Sequence, residues 1–297
     1  MRTGSKLRCC GTIVVLWLTV ATAWGATSKH NVTGLLLSAD AGKHTITVSC
    51  KEIPGYMDAM VMSFPVRDAF PEGLHPGATI GFTLVVGKNS SYTEKLRILP
   101  FESLELDPTE DRRLKLLEDA TSAKPPSKDV LGVGQQVPDF RLTDQNHQLV
   151  SLSQFSGKVV VLTFIYTRCP RPDYCLRLSN NFGVLQRRFG NRMNRDLILL
   201  TVVIDPVHDQ PDALKTYAHS WKADARSWHF LTGSVTDIQQ LCRRFDMSFY
   251  PDEALFVHSF HTAVIGRRGE LVANLEGNTF TAKQLGDLVE SVMQRPE

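Results

Sequence analysis

Six cysteines in 297 residues are too few for a scaffold held by disulfides, and a chain of this length can bury a core without them. Basic blocks are missing as well. Thirty-three Lys and Arg stand against 31 Asp and Glu, a net charge of +2 with the signs interspersed. That excludes the dense positive stripe a nucleic-acid partner needs. Long apolar runs are equally scarce. The N-terminal one, residues 11–20, is short for a membrane span. It follows Arg2, Lys6 and Arg8 and precedes the small residues Ala21, Ala23, Gly25 and Ala26. This is the three-part pattern of a secretory signal. Residues 1–26 are therefore expected to be a signal peptide and the mature chain to be periplasmic or otherwise exported. An uncleaved signal acting as a membrane anchor is the alternative. No lipobox precedes Cys9 or Cys10.

Loss of the signal leaves Cys50, Cys169, Cys175 and Cys242. Two of them lie where an apolar strand-like run, Val159-Val160-Val161-Leu162-Thr163-Phe164-Ile165-Tyr166, gives way to a helical pattern. A thiol at a helix N-terminus meets the positive end of the dipole and unpaired N–H groups, which favour thiolate. Thiolate binds soft metals and attacks disulfides, so Cys169 and Cys175 point to metal or redox work. A structural disulfide between them is the plainer reading, though it would close only a small loop. Cys242 falls on the apolar side of a helical pattern and is expected in a core.

Residues 30–105 read as short strands broken by turns, the pattern of a small all-β barrel. Residues 106–130 combine a charged helix-like stretch from 108 to 120 with Lys124-Pro125-Pro126-Ser127-Lys128, a linker composition. From 131 to 297 strands and helices alternate. Strands are expected near 159–166, 197–204, 228–231, 262–265 and 271–275, and helices near 175–189, 211–219, 235–245 and 281–293. Gly266-Arg267-Arg268-Gly269 marks a hairpin between the last two strands. The expected architecture is an α/β domain preceded by a small all-β, OB-like barrel.

Four motifs then carry a resemblance. Val137-Pro138-Asp139-Phe140 with Phe155-Ser156-Gly157-Lys158 looks like the opening of a thioredoxin-like fold. Phe164-Ile165-Tyr166-Thr167-Arg168-Cys169-Pro170 resembles the Sco/SenC family. So do Val202-Val203-Ile204-Asp205-Pro206 with Asp209, Trp228-His229-Phe230-Leu231-Thr232-Gly233, and Val257-His258 before Thr262-Ala263-Val264-Ile265. The resemblance implies copper bound by Cys169, Cys175 and His258, and a role in building the CuA centre of cytochrome c oxidase. The oxidase subunit carrying CuA is then the expected partner, with other copper or thiol-redox proteins. The family usually places three residues between its cysteines; here there are five, Pro170 to Tyr174. Two sulfurs and an imidazole suit copper in either common oxidation state, and zinc could use the same three ligands if a fourth joined them. Asp205 has two readings, orienting a ligand or capping a turn. His261 is taken as structural.

The first unit carries its own signature, Cys50-Lys51-Glu52-Ile53-Pro54-Gly55-Tyr56-Met57-Asp58-Ala59-Met60-Val61-Met62. Three of seven methionines fall within six residues, and Met60 and Met62 share one face of a strand. The segment resembles the CusF-like copper(I)-binding barrels, which implies a soft site of Cys50, Met60 and Met62, with Tyr56 as a candidate aromatic ring. Methionines also fill cores, and that reading stands beside it.

Two functions compete for the same thiols. One is a copper metallochaperone. The other is a thiol–disulfide reductase in which Cys169 attacks and Cys175 resolves, although the thioredoxin-like two-residue spacing is lacking. A peroxidase is a third reading, for which the expected threonine and arginine partners of Cys169 are not evident. Asn31-Val32-Thr33 and Asn89-Ser90-Ser91 match a glycosylation pattern of low specificity.

Overall fold

The computed structural model describes residues 27–88, 90–101, 108–121, 129–252 and 255–295. Its first unit is antiparallel: β1 (Ser28–Asp40), β2 (Thr45–Cys50), β3 (Val61–Pro65), β4 (Thr79–Val86) and β5 (Ser91–Ile98), in the order β3-β2-β1-β4-β5. The sheet curls until Val66, just past β3, bridges Thr93 of β5. Period-two alternation turns Ile46, Val48 and Cys50 of β2 inward with Val32 and Leu36 of β1 and Phe64, Ile80 and Phe82. Burying each large side chain contributes about 1.5–3 kcal/mol. Gly34 allows the tightest approach. A Cβ there would lie 2.6 Å from Val48 and 2.7 Å from the Ser49 carbonyl oxygen. A register shift between Leu36 and Ser38 breaks the regular pairing of β1 with β2. Leu35 and Leu37, on the opposite face of β1 from Leu36, are buried in a different core.

That core belongs to the second unit. Its seven-stranded sheet is built from β6 (Arg141–Asp144), β7 (Leu149–Ser151), β8 (Val159–Ile165), β9 (Leu197–Val203), β10 (Trp228–Thr232), β13 (His261–Ile265) and β14 (Leu271–Glu276). The order is β14-β13-β8-β9-β10-β6-β7, with β8, β9 and β10 parallel and the remaining pairs antiparallel. Every residue of β8 and β9 is buried, as expected of central parallel strands covered on both faces. The helices are α2 (Arg177–Phe189), α3 (Pro211–Ser220), α4 (Val235–Arg244) and α5 (Ala282–Met293). Thr281 caps α5, accepting from the Gln284 N–H, and Ser234 caps α4 in the same way. A separate hairpin joins β11 (Phe249–Asp252) and β12 (Leu255–His258). The expected strands and helices lie within a residue or two of those observed. The four-residue and shorter strands β6, β7, β11 and β12 were not foreseen, because a run that short shows no periodicity.

Between the units lies α1 (Pro108–Thr121), which packs near β12. A Pro-rich linker suggests two beads on a string, but the units are docked. Ser49 Oγ donates to Asp287 Oδ2 at 2.7 Å, and Gln284 Nε2 donates to the Ser49 carbonyl at 3.1 Å. Leu35 and Leu37 join the α/β core, and a Cβ on Gly77 would meet Ala273 at 2.7 Å. The expected signal, 1–26, and linker residues 122–128 lie outside the described residues. Among the described residues no helix is long and apolar enough to cross a membrane.

Candidate metal centre

The thiols sit at the C-terminal edge of β8. The chain leaves the strand at Tyr166 and Thr167, and the buried Asp209 carboxylate receives both the backbone N–H and the hydroxyl of Thr167. Cys169 follows, 8% exposed. The five residues between the cysteines are taken up by a wide π-turn over Pro172–Leu176, in which Tyr174 leaves helical geometry and Cys175 becomes fully buried. Asn278 pins this turn by donating to the Asp173 carbonyl.

The two sulfurs are not equivalent. A hydrogen bond from the Cys175 thiol is the main cause that draws Cys169 down to about 6; burial opposes it, and backbone N–H groups with the Tyr166 hydroxyl assist. Cys175 is pushed well up, first by burial and then by its partner. The pair is thus poised asymmetrically, with Cys169 favouring thiolate and Cys175 favouring thiol. The helix dipole was expected to favour thiolate at both positions, but the cysteine nearer the helix is the protonated one, because desolvation outweighs the dipole there.

His258 ends β12 and is 7% exposed. Its Nδ1–H donates to the Ser259 carbonyl at 2.8 Å, while Nε2 is buried with no partner. Burial lowers its pKa to about 4, so the ring is neutral with its Nε2 lone pair free. The imidazole is held among aromatic rings, 5.7 Å from Tyr166, 6.5 Å from Tyr174 and 4.7 Å from Phe260 between centroids. Tyr166 thus touches both Cys169 and His258. The structure brings thiols and imidazole to one aromatic pocket, not to one point. Among the described residues no three His, Cys, Asp or Glu side chains are gathered tightly enough to hold a metal. The donor set nonetheless fits copper: a thiolate, a thiol able to lose its proton and a partnerless neutral imidazole nitrogen.

Asp205 serves neither His258 nor a cysteine. Its carboxylate receives Arg168 Nη2 at 2.6 Å and lies 2.9 Å from His208 Nδ1. Sequence reasoning passed over Arg168, Tyr166 and Asp209 as site-shaping residues; the one available signal was the pair of aspartates in Asp205-Pro206-Val207-His208-Asp209 at a strand end. His261 is buried near Asn274 with its pKa lowered to about 4, and Cys242 is buried with its thiol pushed up by desolvation.

In the first unit the Cys50 N–H donates to the Met60 carbonyl at 2.9 Å, and Val48 pairs with Met62. Directly opposed residues share a face, so Cys50, Met60 and Met62 lie on one side of the β2–β3 ribbon. Their exposure differs. Cys50 is 1% exposed and Met62 packs on the barrel core, whereas Met60 is 44% exposed. Burial pushes the Cys50 thiol up to about 11, opposed by the Lys283 ammonium. Tyr56 stacks on His30 at 3.7 Å.

A parallel-stranded α/β core with an asymmetric thiol pair and a free imidazole nitrogen defines a thioredoxin-like thiol protein equipped for soft-metal chemistry. The SCO1/SenC family model matches residues 129–294, and the chain belongs to that family. It is 29% identical over 143 residues to a Stutzerimonas stutzeri protein named for copper binding, covering 46% of this chain and 66% of that one. It is 25% identical to the SCO1 protein homolog of Bacillus subtilis, over 48% of this chain and 79% of the relative. Among solved structures, yeast Sco1 with copper bound is 23% identical, covering 55% of this chain and 91% of that one at a TM-score of 0.47.

Proposed function

We propose that this protein is an extracytoplasmic copper metallochaperone that carries copper on Cys169, Cys175 and His258, for assembly of the CuA centre of cytochrome c oxidase. The observation that carries the reading is the partnerless Nε2 of His258 in the same pocket as a cysteine already acidic enough to be thiolate. Copper is cargo here. Binding it requires loss of the Cys175 proton and approach of the β11–β12 hairpin, which is paired only to itself among the described strands. Membership of the SCO1/SenC family supports the oxidase as destination. A second copper(I) site at Cys50, Met60 and Met62 is supported by their shared face and soft donors. Export rests on the signal-like N-terminus. Anaerobic Cu(I) titration of the full chain, with sulfur ligation read by X-ray absorption, tests both sites. Cys169→Ser with Cys175→Ser should remove one bound ion, and Cys50→Ser with Met60→Leu should remove another. A double cysteine variant that binds as much copper as the parent would refute the first site.

The asymmetry of the thiols favours a second activity on the same pair, thiol–disulfide reduction. The Cys169 thiolate attacks a target disulfide, forming a mixed disulfide and releasing one target thiolate, which takes up a proton. Cys175, losing its proton, then attacks Cys169 sulfur and frees the second thiolate. The target gains two electrons and the pair becomes a disulfide. A reduction potential far below that of the compartment would mark the Cys169–Cys175 bond as structural instead.

A further inference from the structure

We propose that the docked seam between the barrel and the α/β unit is a latch, and that copper passes between the two sites of one molecule only when the seam opens. The inference rests on the two-site reading above. Handover by ligand exchange needs donors of both sites on one ion at once, and in the docked molecule Cys50 and Met62 belong to the barrel core whereas Cys169 and Cys175 belong to the α/β core. Ser49 and Cys50 are neighbours on β2, so their side chains face opposite ways. Ser49 is fully buried and bonded to Asp287 and Gln284 of α5, while Cys50 points into the barrel core at 1% exposure. Cys50 therefore lies on the barrel side of β2, close enough to the seam for the Lys283 ammonium to act on its thiol, and the sulfur face meets solvent at Met60. The seam contacts named above, Leu35, Leu37, Ser49 and Gly77 against Ala273 and the start of α5, include no sulfur through which an ion could step.

The seam joins apolar contacts of Leu35 and Leu37 to a polar latch, and the polar part is what a single substitution can loosen. Asp287, 7% exposed, accepts from Ser49 and pairs with Lys283 and Arg188, each at 2.8 Å. Arg188 belongs to α2, the helix that follows Cys175, and Asn278, just before α5, pins the turn between the cysteines. Opening the seam thus loosens the supports of the thiol loop as it frees the barrel to move.

The test uses the full chain with methyl-labelled methionine and one equivalent of Cu(I) under anaerobic conditions. Exchange of copper between the sites is read from the Met60 and Met62 methyl signals at several protein concentrations. Ser49→Ala and, separately, Gln284→Ala each remove one seam hydrogen bond while leaving every proposed ligand in place. The exchange rate should be independent of protein concentration and rise up to about tenfold in each variant, the factor expected for one buried hydrogen bond. Hydrogen exchange at residues 282–288 of the metal-free Ser49→Ala variant, whose α5 cap is intact, should rise in parallel, showing that the seam has opened. An open seam with an unchanged or slower rate, or a rate proportional to protein concentration, overturns the latch while leaving both copper sites standing. Methyl signals that ignore copper overturn the barrel site itself, and the latch with it.

Discussion

Cys50 and Cys169 occupy similar places and behave oppositely. Cys50 closes β2 and Cys169 lies in the turn that follows β8; each is nearly buried, yet one is pushed up to about 11 and the other drawn down to about 6. Burial alone raises a thiol, as at Cys50. At Cys169 the same penalty is overcome by donors aimed at the sulfur, led by the Cys175 thiol. Acidity here follows from what points at the sulfur rather than from exposure to water. Burial holds the barrel cysteine neutral, whereas donors aimed at its sulfur draw the α/β cysteine toward thiolate.

The largest expected effect tests this contrast directly. At pH 7 iodoacetamide should alkylate Cys169 at least about a hundredfold faster than Cys50, read by timed mass spectrometry, because the thiolate fractions differ by several orders of magnitude. Comparable rates would erase the distinction. The Cys169 rate should fall as pH drops through about 6, while Cys50 stays slow throughout that range.

Core truncation asks whether the two units are one cooperative body. Phe64 and Phe164 are each about 99% buried, one in each unit, and Phe64→Ala or Phe164→Ala should cost about 3–5 kcal/mol. A docked molecule should lose stability in a single urea transition for both; two separate transitions would show that the seam couples little. Asp209→Ala should cost about 1–3 kcal/mol by leaving the Thr167 N–H and hydroxyl unpaired, and it should raise the mobility of the Cys169 loop measured by amide exchange.

The smallest effect belongs to the seam. Burial pushes the Asp287 carboxyl up, but hydrogen bonds from Lys283, Ser49 and Arg188 together hold it below its usual 3.8. Its folded value is depressed, so its stabilisation is complete above 3.8 and drains away as pH falls through the folded value. Asp287→Asn should therefore destabilise the chain by about 1 kcal/mol at pH 7 and by less near pH 3, as followed by urea unfolding.

The long periodic elements were legible beforehand. The buried run of β8, the apolar stripe of α5 and its Thr281 cap announce themselves through spacing and composition. Cys169, Cys175 and His258 were legible only as members of a recognised motif, since 82 residues separate Cys175 from His258 in the chain. Tyr166 and Asp209 were legible only as motif members without a role, because an aromatic residue at a strand end and an aspartate in a loop look ordinary until the fold sets them against a thiol or an N–H.

By itself the order of residues determined the succession of the main elements and the supply of soft donors, because those depend on periodicity and residue type, which are local. Tertiary structure decided which cysteine ionises, that the imidazole keeps a free nitrogen, and that Ser49 fastens the barrel to α5. Each of those depends on groups distant in sequence meeting where water is excluded, and there a single donor or its absence sets the chemistry.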